Sequence, residues 1–291
     1  MKALLSLALL ALALGLTAGC GGGKPVTAPA PTSSQSQSKL ADAEGRAAAL
    51  MRAGDLESAA RQYGEAARIA ATVENADAVA SNSINQSIVY QWMGRDADAR
   101  DALARVLDDP RRPFSERRRL QAELRRAIVD LALQNPVSAA TFAERAANRC
   151  PNLSCEYGAT ILNVQAQIAL EGSHAPEAEQ LASRAADRAR SRGDRAEQAN
   201  ALRLLGKSRR LQGHAKEAIA PLEQAVAIDR DLADPRKILA DLTELSLASS
   251  AAGNRDAAKD FYERALTISR ALQDTRGLAE MEAQLRRQPA N

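Results

Sequence analysis

The sequence predicts an all-α protein made of repeated helical hairpins, and three observations support that fold class. Alanine and leucine dominate its apolar residues, while aromatic residues make up only 3% of the 291-residue chain. A core of this composition suits closely packed helices, because strands favour β-branched and aromatic side chains. No long alternation of Val, Ile or Thr occurs. In addition, one hairpin pattern recurs roughly every 40 residues, which is typical of a stacked repeat protein.

The chain begins with a segment that is typical of a secretory signal. Residues 1–19 contain a single basic residue, Lys2, followed by an apolar run that is shorter than the roughly 20 residues a membrane-spanning helix needs. The segment ends in Leu-Thr-Ala-Gly before Cys20, which resembles the bacterial lipobox although Thr17 stands where Leu is commonest. This resemblance implies that Cys20 is acylated, for example by palmitate, and becomes the new N-terminus. It also implies outer-membrane sorting, since Gly21 is not the Asp of inner-membrane retention.

Residues 20–38 are predicted to form a flexible tether between the lipidated cysteine and a helical repeat domain at residues 39–291. The segment consists mainly of Gly, Pro, Ser and Gln, with almost no large apolar side chain. Such a composition cannot bury a core, so it favours an unstructured linker.

The clearest copy of the repeat occupies residues 199–230. Its apolar residues lie at helical spacing on two consecutive segments that are joined by a turn at Gly213. Gly206 and Ala218 are small and lie where the two helices are expected to cross closely. Because a hairpin of this size cannot bury its apolar stripe alone, the sequence predicts that each copy stacks on its neighbours.

The same arrangement of small residues recurs around other turn positions. Glycines mark the turn at Gly54, Gly94, Gly172 and Gly253, and the third copy has Asn135-Pro136 in that place. There the asparagine is expected to cap the second helix and the proline to open it. The sequence therefore predicts six hairpins over roughly residues 40–272.

This pattern resembles the tetratricopeptide repeat (TPR), in the variant with repeats of about 40 residues that is found in kinesin light chains. The resemblance implies an α-solenoid whose first helices line a concave, peptide-binding face. Residues Thr275–Arg287 are expected to form a C-terminal capping helix, because terminal repeats need a polar outer face. Another helical solenoid or a plain bundle remains the alternative fold.

The resemblance also places candidate groove residues thirteen, ten, six and three positions before each turn residue. They are Asn200, Arg203, Lys207 and Arg210 in the fifth hairpin, Asn163 and Gln167 in the fourth, Arg125 in the third, and Ile84 and Ile88 in the second, with Trp92 close by. Basic and amide groups beside an apolar patch predict a site for a carboxylate and an aliphatic side chain of a partner. The alternative is that these are ordinary solvated residues.

Two further cysteines, Cys150 and Cys155, are expected to form a disulfide in an oxidising periplasm. Closing so short a loop contributes about 2 kcal/mol in the chain-entropy model. A redox or metal site is the alternative, although no histidine lies nearby in sequence.

Charge and motifs limit the function. A net charge of +3 is far from the basic excess of a nucleic-acid binder. No Gly-rich phosphate loop, zinc pattern or nucleophile elbow occurs, so we expect no cofactor, no metal, no small-molecule substrate and no enzymatic activity. Seven arginines between Arg111 and Arg126 indicate a solvated helix face. Their alternative role is binding to peptidoglycan or another anionic envelope polymer.

The sequence thus predicts a periplasmic scaffold or adaptor, held at the outer membrane by Cys20, that binds other envelope proteins or peptides. Lipoproteins of similar design serve secretion, pilus, outer-membrane or peptidoglycan machinery, and the sequence does not choose among them. The partner and the oligomeric state are not specified.

Overall fold

Twelve α-helices form six antiparallel hairpins in a computed structural model that describes residues 32–109, 111–273 and 279. The helices are α1 Thr32–Ala53, α2 Leu56–Thr72, α3 Ala76–Trp92, α4 Asp96–Leu107, α5 Glu116–Ala132, α6 Pro136–Asn148, α7 Gly158–Glu171, α8 Ala175–Arg192, α9 Arg195–Leu211, α10 Ala215–Asp231, α11 Pro235–Ala251 and α12 Arg255–Leu272. Each helix packs on the next along the chain. The first helices α3, α5, α7, α9 and α11 also pack on one another in that order. The predicted all-α solenoid of six hairpins is confirmed.

The turns of four hairpins rest on glycine, as the sequence predicts. These are Gly54, Gly94, Gly213 and Gly253, with φ between 71° and 85°. This left-handed region suits glycine, because a Cβ there is crowded by the backbone. The fourth hairpin differs: Gly172 has φ −78°, and Ser173 with φ 60° takes the left-handed position. The turn therefore lies one residue later than the glycine indicates.

The turn of the third hairpin confirms the expected helix start. The Asn135 side chain accepts a hydrogen bond from the backbone N–H of Ser138, and Pro136 opens α6. The left-handed residue is Gln134, with φ 56°. Arg125 consequently lies nine positions before the turn residue, not ten, and Ile128 takes the place six before it.

The close crossing of α9 and α10 occurs where the small residues predict it. A Cβ at Gly206 would lie 2.4 Å from Leu222 Cγ, and Ala218 is fully buried. The core between the helix layers is formed mainly by alanine with leucine, isoleucine and valine. The low aromatic content is therefore compatible with a well-filled solenoid.

The structure pairs Cys150 with Cys155 in a disulfide, with Cα atoms 5.5 Å apart. The bridge closes the loop between α6 and α7, which contains a 3₁₀ turn at Pro151–Leu153. Within the described ranges, no cluster of three or more His, Cys, Asp or Glu side chains could hold a metal ion.

The N-terminal boundary differs from the prediction. Helix α1 begins at Thr32, so the last seven residues assigned to the tether are helical. Once α1 is anchored by Leu40 and Ala43 in the core, each further residue adds a backbone hydrogen bond without a new nucleation cost. The signal at residues 1–19, Cys20 and the expected capping helix Thr275–Arg287, apart from helical Ala279, lie outside the described residues. None of the helices in the described part is long and apolar enough to cross a membrane.

Candidate partner-binding groove

A cavity of about 560 Å³ opens on the face formed by α5, α7, α9 and α11. We call it the groove cavity. Six of the ten predicted groove residues line it: Arg125, Asn163, Gln167, Asn200, Arg203 and Lys207. Its walls also contain aliphatic side chains, namely Ile128, Val164, Leu204 and Leu239. The row of positions inferred from the repeat therefore lies largely along the face that contains this cavity.

Arg203 is held by buried acids behind the cavity wall. Its Nη1 donates to Asp241 Oδ1 at 2.7 Å and to Asp229 Oδ2 at 3.5 Å, and Nη2 donates to Asn200 Oδ1 at 2.6 Å. The Asp241 and Asp229 side chains are 0% and 2% exposed. The guanidinium is therefore already neutralised inside the protein, and the contact of Arg203 with a partner stays a prediction.

Asn200 is also engaged. Its Oδ1 accepts a second hydrogen bond from Nζ of Lys237, a wall residue of α11. Burial, together with nearby Arg203, lowers the pKa of Lys237 to about 8. Asn200 thus joins α9 to α11.

Arg210 and Asn163 are likewise committed to neighbouring helices. Arg210 donates from Nε and Nη2 to Glu244 Oε2 at 3.1 and 2.9 Å and does not line the cavity. Its partner role stays a prediction. Asn163 Nδ2 donates to Glu197 Oε2 at 2.7 Å. The Oδ1 atom of Asn163 is buried and has no hydrogen-bond donor among the described residues.

Arg125, Gln167 and Lys207 are the groove residues without an engaged partner. Within the described ranges, none of the three makes a side-chain hydrogen bond or an ion pair, and Arg125 Nε is buried without an acceptor. Burial lowers the pKa of Arg125 to about 10, while Asp96 acts in the opposite direction. A buried donor left unsatisfied is costly, and an anion supplies what it lacks. These three side chains are therefore the candidate hydrogen-bond donors to an anionic group in the groove cavity.

The predicted residues of the second hairpin do not line the cavity. Ile84 packs against the core and Ile88 is half-buried. Trp92 is 36% exposed, and the guanidinium of Arg236 lies 4.7 Å from its ring centroid. Sequence reasoning missed Arg236 and Lys237, which also line the cavity. They lie about one helical turn before Ala240, the position thirteen residues before Gly253.

The arginine-rich stretch between Arg111 and Arg126 is largely paired on its own surface. Arg112 contacts Asp109 at 3.0 Å, Arg117 contacts Glu156 at 2.8 Å, and Arg126 contacts Asp130 at 2.9 Å. Arg111 is 92% exposed. The stretch is therefore ion-paired, and it is exposed at Arg111 and Arg117 but part-buried at Arg126, whose partner Asp130 is buried.

The helix order and the concave row of first helices define a TPR-type α-solenoid. Similar solved structures have this fold. BtubC, the bacterial kinesin light chain of P. vanneervenii, is 22% identical with a TM-score of 0.54 over 75% of this chain and 91% of that one. PlcR of Bacillus thuringiensis, solved with the peptide PapR7 and DNA, is 13% identical with a TM-score of 0.61 over 78% and 84%. PilW, a type IV pilus biogenesis factor, is 14% identical with a TM-score of 0.53 over 83% and 97%. No protein-family model and no curated protein sequence matches the chain.

Proposed function

We propose that this protein is a non-catalytic adaptor that binds an extended, acidic segment of another envelope protein in the groove cavity. One observation carries the proposal: Arg125, Gln167 and Lys207 are unpaired and face the same cavity as a set of aliphatic side chains. A guanidinium, an amide and an ammonium group can hold a carboxylate by charge-assisted hydrogen bonds. The neighbouring aliphatic walls can bury the side chains that flank it.

Charge complementarity favours an acidic occupant. The cavity walls contain five basic side chains, Arg125, Arg203, Lys207, Arg236 and Lys237, against two acidic ones, Glu197 and Glu244. Glu244 is ion-paired with Arg210, and Arg203 is balanced by buried acids, so Arg125, Lys207 and Lys237 stand against Glu197 alone and leave positive charge in excess. That PlcR, which shares the fold, is solved with a bound peptide supports a peptide-like occupant.

The adaptor is proposed to act at the outer membrane, on the periplasmic side, through a lipid on Cys20. The lipobox-like sequence before Cys20 and the Gly21 that follows it support this location. PilW, of similar fold, is a pilus biogenesis factor, which supports a role in an envelope assembly. Replacing Cys20 by Ala should release the protein from membranes into the soluble periplasmic fraction. A Cys20→Ala variant that still sediments with membranes contradicts the lipid anchor.

Binding of an anionic polymer through the Arg111–Arg126 stretch is the competing function. The internal ion pairs of that stretch weaken it, because three of its arginines are already neutralised by Asp109, Glu156 and Asp130. Polymer binding through exposed charges would fall steeply with salt, whereas a segment seated among aliphatic walls would respond less.

Site-specific photo-crosslinking in the native host tests the proposed function. One crosslinker replaces Leu204 in the cavity wall, and a control crosslinker replaces Gln224, exposed on α10. We expect a discrete adduct at position 204 only, lost when Arg125→Gln and Lys207→Gln are added. The captured segment should then bind the purified protein. Equal adducts at both positions, or adducts unaffected by the two substitutions, contradict the groove as the binding site.

A further inference from the structure

Behind the groove cavity, three helices bring two carboxylates and one guanidinium together. Asp229 lies on α10, Asp241 on α11 and Arg203 on α9. Arg203 Nη1 donates to both acids, and Asp241 Oδ2 is buried without a hydrogen-bond donor among the described residues. Arg203 thus joins the acid pair to the cavity, since the same side chain forms part of the cavity wall.

Among the described residues, Arg203 is the cation that is hydrogen-bonded to both carboxylates. If both are ionised, one buried negative charge has no directly bonded cation of its own, which is unfavourable. Two ionised carboxylates also leave Asp241 Oδ2 with no donor. A single proton between the two acids corrects both deficits, because it neutralises one carboxylate and supplies the missing donor.

We propose that Asp229 and Asp241 share one proton and that this proton regulates the affinity of the groove cavity for the acidic segment, a role that rests on the proposed function. Burial raises the pKa of both carboxyl groups, that of Asp241 to about 7. The proton is therefore exchanged near neutral pH. The pair titrates as a unit, so the midpoint belongs to the pair.

The other charged groups around the pair come from the same three helices and the turn between two of them. Arg203 on α9 faces both acids, and Lys237 on α11 acts on Asp229, where it opposes the rise in pKa caused by burial. Glu197 on α9 acts on Lys237. Asp234, before α11, caps that helix through the N–H groups of Arg236 and Lys237. The pKa of Lys237 is lowered to about 8, so its loss of charge adds to that of the acid pair in the upper part of the neutral range.

Binding is linked to the proton through the charge of the cavity wall. When the pair holds its proton, Arg203 balances the remaining carboxylate and the wall keeps the positive charge of Arg125 and Lys207. When the proton leaves, one negative charge appears behind the wall and repels an acidic occupant. The occupant therefore binds more tightly at lower pH and takes up part of a proton as it binds.

Calorimetry with a defined probe tests the linkage. The probe is a blocked hexapeptide with one glutamate between leucines, titrated into the full chain between pH 5.5 and pH 7.5, where Lys237 keeps most of its positive charge. We expect the affinity of the protein for the probe to fall about fivefold as the pH rises over this range. The cause is one added negative charge behind the cavity wall, acting through an effective dielectric constant of about 20–40. The Asp241→Asn variant should keep the higher affinity throughout, because the amide imitates the protonated acid. Asp231→Asn, in an exposed pair with Arg195, is the control that should keep the pH response.

The outcomes separate this inference from the proposed function. If the wild type binds the probe but Asp241→Asn shows the same pH response, the proton linkage is overturned and the binding site stands. If the wild type binds the probe at no pH, the proposed function fails. The proton is then measured without any ligand, by ¹³C NMR titration of the aspartate carboxyl groups. A midpoint near pH 7 that is absent in Asp241→Asn supports the shared proton, and titration of all aspartates below pH 5 overturns it.

Discussion

The guanidinium of Arg236 stacks on the indole of Trp92, 4.7 Å from the ring centroid, and joins the sixth hairpin to the second. Arg236 lies in the first turn of α11, the first helix of the sixth hairpin, and Trp92 ends α3, the first helix of the second. The contact therefore joins two hairpins that are not neighbours along the chain. Because Arg236 also lines the groove cavity, the cavity wall is linked directly to the second hairpin.

Trp92 is the single tryptophan of the chain, so its fluorescence reports this contact. We expect Arg236→Gln to change the intensity and wavelength of the emission. Its free energy of unfolding should remain within about 1 kcal/mol of the wild-type value, since an exposed cation–π contact contributes about that much. Arg264→Gln, which removes a guanidinium 5.3 Å from the Phe261 ring, is the matched control and should leave the emission unchanged. Identical spectra for Arg236→Gln and wild type would show that the contact does not form in solution.

Gly206→Ala should destabilise the protein, because its new Cβ would overlap Leu222. We expect a loss of about 1–3 kcal/mol in the free energy of unfolding, measured with urea. Gly45→Ala is the control: no atom lies within 4 Å of its added Cβ, so it should stabilise α1 by up to about 1 kcal/mol. In a Leu222→Ala background, Gly206→Ala should lower the free energy of unfolding by less than it does in wild type, because the overlapping side chain is gone. Equal effects of the two glycine substitutions contradict the close crossing of α9 and α10.

The raised pKa of Asp241 gives stability a defined pH dependence. The folded pair keeps a proton that the unfolded chain loses at about pH 4, so this contribution to stability falls as pH rises from about 4 to about 7. The Asp241→Asn variant lacks this contribution. Its free energy of unfolding should therefore rise relative to that of wild type as the pH rises through that window. The difference between the two proteins isolates the pair, because Asp55 and Glu179, whose pKa values are lowered by hydrogen bonds, act equally in both. A difference independent of pH contradicts the raised pKa.

The Cys150–Cys155 bridge should protect both thiols and stabilise the loop between α6 and α7. Thiol labelling of the native, unreduced protein should modify neither cysteine. Reduction should lower the free energy of unfolding by about 2 kcal/mol. Labelling of both cysteines without reductant would refute the bridge.

The fold could be predicted because its signals are local. Turn glycines, the Asn135-Pro136 helix start and the small residue at position 206 each act within one hairpin, and their phasing reveals the stack. Gly172 shows the limit of such signals, since the neighbouring Ser173 adopts the left-handed conformation instead. A glycine permits that conformation but does not require it.

The face of the site could also be predicted, but the state of its side chains could not. The offsets identify residues that point to the cavity from one hairpin. They do not show that Arg203 meets Asp241 thirty-eight residues later, or that Arg210 meets Glu244 thirty-four residues later. Those acids lie on the next hairpin, at positions that do not match the four offsets of the groove row. The Trp92–Arg236 contact depends on the curvature of the whole solenoid, which the repeat spacing does not specify.

Peptide binding to the groove cavity tests the central claim most directly. Calorimetry compares the glutamate hexapeptide with its glutamine counterpart, for wild type and for the Arg125→Gln, Lys207→Gln double variant, at pH 6.5. Wild type should prefer the glutamate peptide by about tenfold or more, as expected for a charge-assisted hydrogen bond. The double variant should lose this preference, and Lys216→Gln, on the exposed face of α10, should retain it. A double variant that still prefers the glutamate peptide as strongly as wild type would contradict binding at Arg125 and Lys207.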